Sequence, residues 1–187
     1  QTPRFTFHAP KGLNPSHFLG GAVGIFMHAK AAERGSAILA EYRIEDPAAA
    51  IARSLAENLG QRLELEVGYQ DSGLASSLSA MHSTLRNPKT LAGEYGSGKL
   101  LVNAGTVMWT MQGAGKAHYR IIYAVKATIV DTNEPAVLAS AECSFPLKKR
   151  DQSRRAATMF DDDAASIKAE FQEIVEFCTD RLASEMF

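Results

Sequence analysis

The chain has 187 residues, of which 45% are apolar and 22% charged, and its 20 basic and 21 acidic side chains leave a formal net charge of −1. These proportions exclude wholesale disorder, collagen-like repeats and a simple coiled coil, and the near-neutral balance supplies no global drive towards nucleic acid or an anionic membrane. No Pro/Gly/Ser-rich linker divides two hydrophobic regions, so residues 1–187 are read as one domain.

Arg4 to His8 alternate aromatic and polar side chains ahead of Pro10, which suggests a short strand or an extended arm. The Ala-rich stretch from Ser16 to Tyr42 suggests helix interrupted near Gly35, and its apolar run Phe18 to Met27 falls well short of the roughly 20 residues that span a bilayer. Asp46-Pro47 is an N-cap and first-turn pair, after which Ile51, Leu55 and Leu59 recur every four residues until Gly60 offers a stop. Leu63-Glu64-Leu65-Glu66-Val67 alternates perfectly, as a half-buried strand does. Residues 71–99 are rich in Ser, Gly and Thr and read as a flexible excursion, with Leu74, Leu78, Met81 and Leu85 forming one amphipathic helix that Asn87-Pro88 would end.

From Leu100 to Met111 the residues are largely apolar, and Val102, Val107 and Trp109 favour a strand buried on much of both faces. After Gly113-Ala114-Gly115, Tyr119, Ile121, Tyr123, Val125, Ala127 and Ile129 mark the apolar face of a long strand. Asp131 to Pro135 reverses the chain into a third strand, Ala136 to Phe145, completing an antiparallel meander. Asp161-Asp162-Asp163 places negative charge where a helix N-terminus prefers it, and Ile167, Phe171, Ile174, Cys178 and Leu182 draw one apolar stripe along the helix that follows. The fold class is therefore α/β in the α+β sense: a two-layer sandwich of a mostly antiparallel sheet, including the Leu63 strand, with helices packed on one face.

The motifs of common chemistry are missing in residue type or in context. Gly93 to Leu100 has the glycine and lysine spacing of a phosphate loop, but Leu100 stands where magnesium binding needs Ser or Thr, and a strand rather than a helix follows. His8, His17, His28, His82 and His118 show no metal-ligand spacing, and Ser97 lacks the first glycine of a nucleophile elbow. No cofactor is expected. The basic run Lys148, Lys149, Arg150, Arg154 and Arg155 reads either as a solvated loop or as a partner-binding surface; without interleaved aromatics it does not suit nucleic acid. Trp109, Tyr119 and Tyr123 read either as core or as an aromatic groove, which makes Trp109 a further candidate contact for a partner.

Cys143 and Cys178 are the more informative pair. If Cys143 points with Val137, Ala139 and Ala141, it faces the same helix–sheet interface as Cys178 on the terminal stripe. Two buried thiols suit a reducing compartment, whereas an oxidising one would join them. The disulfide is preferred, because both positions point inward and the chain opens at Gln1 as a processed exported protein would.

Leu100 through Thr106 to Trp109, Tyr119 to Tyr123, Val130 to Thr132, Val137 to Ala139, Cys143 and Ala164 to Cys178, together with the Asp46-Pro47-Ala48 helix, resemble a group of proteobacterial envelope lipoproteins of uncharacterised function. The likeness covers about two-thirds of the chain and rests on structural rather than chemical motifs. Its layout is similar to the small α/β domains of outer-membrane assembly factors and of translocation-associated β-propeller proteins. What the resemblance implies is a periplasmic protein, peripheral or lipid-anchored at the outer membrane, although Gln1 is not a lipidation cysteine. The functional expectation is a non-enzymatic binding or assembly module with an envelope protein as partner. The alternative is a periplasmic hydrolase, which would require His82 or His118 to meet a Ser or Asp in a concave pocket.

Overall fold

A computed structural model of the chain describes residues 6–8, 33–68, 87–113, 118–145, 154–155, 158 and 160–187. Their elements run in the order β1 (Thr6–His8), α1 (33–41), α2 (Pro47–Leu63), α3 (Pro88–Tyr95), β2 (Leu100–Gly113), β3 (His118–Asp131), β4 (Ala136–Phe145), β5 (Arg154–Arg155) and α4 (Asp161–Met186). The fold is the expected α+β sandwich. Strands β2, β3 and β4 form the antiparallel meander, β1 adds parallel to β2 through Thr6 to His8, and β5 pairs with His118 and Tyr119 of β3.

The apolar face of β3 is the floor of the core: Tyr119, Ile121, Tyr123, Val125, Ala127 and Ile129 are all buried. Helix α2 lies on β2 and α4, and α4 lies on β4, so both helices bury their stripes against that floor. Trp109 stands directly across from Tyr123, with their rings edge to face at 6.2 Å, and Phe171 of α4 closes on Trp109 at 5.3 Å. Two bulges adjust which residues face in. On β2 the extra residue is Val107, so Thr106 and Trp109 both turn to the core while Val107, expected inside, is 49% exposed. On β4 it is Leu138, which keeps Ala139, Ala141 and Cys143 on one face and moves Val137 off it.

The chain departs from the periodic expectation in four places. Helix α1 runs through Gly35, which is buried within it; the part of the expected Ala-rich helix before residue 33 lies outside the described residues. Helix α2 continues past Gly60 to Leu63, and Glu64 caps it in the left-handed conformation, so Leu63 to Val67 form a helix end and a return segment instead of a strand. The reason lies in local bonding: the Leu65 N–H donates to the Gly60 carbonyl at 2.9 Å, which captures these residues for a helix cap before a sheet can use them. Val67 then folds back over Gly60 so closely that a Cβ there would meet Val67 Cγ2 at 2.3 Å.

Asn87-Pro88 starts a helix, α3, inside the stretch expected to be a flexible excursion. Asn87 accepts from the Lys89 N–H at 2.9 Å and Pro88 occupies the first turn, where its missing N–H costs nothing. The helix expected over Leu74 to Leu85 lies outside the described residues. In α4, Asp162, Asp163 and Ala164 have φ between 50° and 59°, so the acidic cluster forms a left-handed turn ahead of the regular helix; Asp163 pairs with Lys168. Among the described residues no helix is long and apolar enough to cross a membrane.

Candidate functional site

Three features hold polar or reactive groups or expose apolar ones: a disulfide, a buried carboxylate network, and a cleft at one end of the sandwich. The disulfide is present between Cys143 and Cys178, with the Cα atoms 5.6 Å apart. Cys143 sits opposite Val125 on the core face and Cys178 on the buried stripe of α4, at 1% and 0% exposure. The bridge ties the edge strand to the terminal helix from inside the core, out of reach of solvent thiols.

The carboxylate network follows from the N-cap of α2. Asp46 accepts the Ala48 N–H at 2.9 Å, as an N-cap should, and its carboxylate also accepts the Thr106 hydroxyl at 2.6 and 2.7 Å and the Tyr123 hydroxyl at 3.1 Å. Thr106 and Tyr123 lie 2.9 Å apart and are themselves buried. Burial pushes the Asp46 carboxyl above its usual range despite the three donors, and burial together with the adjacent carboxylate pushes the Tyr123 phenol far above its own. Their shared task is structural: they pin the start of α2 to the two central strands. Asp46 was legible as a cap in the sequence, but its bonds to Thr106 and Tyr123 span 60 and 77 residues, and no local pattern announces them.

The cleft has a volume of about 440 Å³, within the roughly 300–1,000 Å³ range of small-ligand sites. The last turn of α2 supplies Leu59, Arg62 and Leu63, and the end of α4 supplies Met186 with the adjoining Phe187. The sheet closes it with Leu100, Ile129, Leu138 and Ala139. Leu63 and Leu138 are 51% and 58% exposed, which is unusual for large aliphatic groups that stand together. Arg62 carries the only charged side chain among the described residues of the lining; its guanidinium lies 5.4 Å from the centre of the Phe187 ring and forms no ion pair with a described carboxylate side chain. Sequence reasoning assigned Leu63 to a strand and missed the cleft, because its walls come from five elements and one of them exists only through the bulge at Leu138.

Of the residues singled out in the sequence, Trp109 is 3% exposed and belongs to the core, which is the first of its two readings; a side chain enclosed by Tyr123 and Phe171 offers a partner almost no surface. Arg154 and Arg155 form the short strand β5, whereas Lys148, Lys149 and Arg150 lie outside the described residues. His118 is half-buried at the start of β3, and His82 lies outside the described residues. The phosphate-loop-like segment joins α3 to β2, with Gly96 and Gly98 at φ of 82° and 78°. Its Lys99 turns back to the Tyr95 carbonyl at 2.8 Å. Among the described residues no group of three or more His, Cys, Asp and Glu side chains stands together as a metal site would require. No family model matches the chain, and neither a curated protein nor a solved structure matches it.

Proposed function

We propose that the protein is a non-enzymatic binding or assembly module of the bacterial cell envelope, working in the periplasm with peripheral or lipid-anchored attachment at the outer membrane. The observation that carries the binding role is the apolar end of the sandwich, where Leu63 and Leu138 stand exposed beside a cleft lined almost wholly by apolar side chains. The compartment is supported by the Cys143–Cys178 bridge, since a disulfide persists in an oxidising environment and is uncommon in a reducing one. The partner is an envelope protein, and the basic side chains of Lys148, Lys149, Arg150, Arg154 and Arg155 are a second set of candidate contacts for it.

Site-specific photo-crosslinking in intact cells tests this reading. A crosslinker placed at Leu138 or Lys148 of the full-length protein is expected to give a discrete adduct, while one at the exposed Glu173 of α4 gives none. Uniform labelling from all three positions, or hydrolytic turnover that disappears in a folded His118→Ala variant, would contradict it.

A further inference from the structure

We propose that the cleft between the ends of α2 and α4 binds the acyl chain of a single amphiphile whose anionic head group is held by Arg62. The inference rests on reading the protein as a binding module and specifies a ligand for it. The walls set the tail: Leu59, Leu63, Ile129, Leu138 and Met186 offer only apolar contact, so an alkyl chain is the complementary occupant. The head follows from charge. Arg62 carries the one charged side chain among the described residues of the lining, and its planar guanidinium presents a fork suited to a carboxylate or phosphate.

The placement of Arg62 gives it a decisive share in the binding. The C-terminal end of α2 carries partial negative charge, which opposes an anion, although the Leu65 N–H already caps the Gly60 carbonyl there. Arg62 reverses that sign at the cleft wall, and it rests on the Phe187 ring, a contact that orients the guanidinium without consuming its hydrogen-bond donors. A cationic amphiphile would meet repulsion at the same point, and a neutral one would gain only the tail contacts. Carboxylate and phosphate heads share the chemistry that Arg62 recognises.

Binding of laurate, dodecyl phosphate, dodecanol and dodecyltrimethylammonium to the full chain, the ionic ones kept below their critical micelle concentrations and dodecanol below its solubility limit, decides the matter by calorimetry. Both anions are expected to saturate at one site per chain and to bind about tenfold or more tightly than dodecanol, the value of a charge-assisted hydrogen bond. Arg62→Gln should remove that advantage, and Ala139→Phe should abolish binding by filling the cleft. Leu138→Asp, at an exposed position, gives the same test should Ala139→Phe fail to fold. No saturable binding of either anion, equal affinity for dodecanol, or binding only to anionic phosphatidylglycerol vesicles would overturn the proposal. Loss of laurate binding with the Leu138 crosslink intact would refute the ligand alone, whereas a missing crosslink with laurate bound would refute the protein partner alone.

Discussion

Replacing Asp46 separates two opposing effects at the one carboxylate that joins α2 to the sheet. Asp46→Ala removes the cap on the Ala48 N–H, about 1 kcal/mol, and takes the acceptor from Thr106 and Tyr123, which are 2% and 0% exposed. Those hydroxyls keep each other at 2.9 Å, so one buried hydroxyl hydrogen is stranded at about 1–3 kcal/mol, and the expected loss is roughly 2–4 kcal/mol. Asp46→Asn keeps a capping oxygen of equal quality, removes the titrating charge and turns the oxygen that accepts from Thr106 at 2.7 Å into an NH2 donor, so the comparison is made on the pH dependence and not on the absolute stability. The Asp46 pKa is raised by burial, so the folded chain holds this proton more tightly than the unfolded chain, where the group titrates near about 3.9. Stability from this group is therefore fully present below about pH 3.9 and is lost as pH rises through the folded value, by about 1.4 kcal/mol for each pH unit of displacement. Urea unfolding followed through the single tryptophan, Trp109, should show wild type losing ground to the D46N protein as pH rises across that window. If wild type instead gains on D46N with rising pH, the three hydrogen bonds outweigh desolvation and the assignment of cause is wrong.

Reducing the Cys143–Cys178 bridge, or replacing both cysteines with Ala, should lower unfolding stability by about 3–4 kcal/mol from the 35-residue separation, as urea midpoints with and without reductant will measure. Native protein should be inert to a thiol-specific reagent until it is both denatured and reduced. Gly60→Ala would gain about 1 kcal/mol in an open helix, but the 2.3 Å approach to Val67 Cγ2 should make it destabilising. Val67→Ala in the G60A background should recover part of the loss, and full additivity of the two changes would show that the contact does not exist.

The meander, α2 and the disulfide were legible in the sequence because each follows from a short-range rule: period two through Tyr119 to Ile129, an Asp-Pro start before Ile51 and Leu55, and two cysteines on inward-facing stripes. The misses share a cause as well. Leu63 to Val67 alternates like a strand, yet Glu64 adopts φ 55° and the next residue bonds back to Gly60, a choice made by helix capping and not by the side-chain period. Pro88 to Tyr95 form a helix within the expected excursion because Asn87 and Pro88 supply an N-cap and a first turn, local chemistry that the weak apolar period there does not announce. The bulges at Val107 and Leu138 each shift a strand by one residue, which exposes aliphatic side chains that alternation alone would bury. The cleft was illegible for that reason, since it depends on the Leu138 bulge and on the unexpected length of α2.

Whether the domain works in an oxidising envelope comes down to one determination in cells. Cultures making the full-length protein from its native gene are quenched in acid, fractionated, and the denatured protein is treated with a mass-tagged maleimide before and after reduction. Cys143 and Cys178 should both be protected before reduction and both tagged after it, with the protein in the envelope fraction. Recovery in the cytosol with both thiols tagged before reduction would contradict the proposed compartment and, with it, the envelope role.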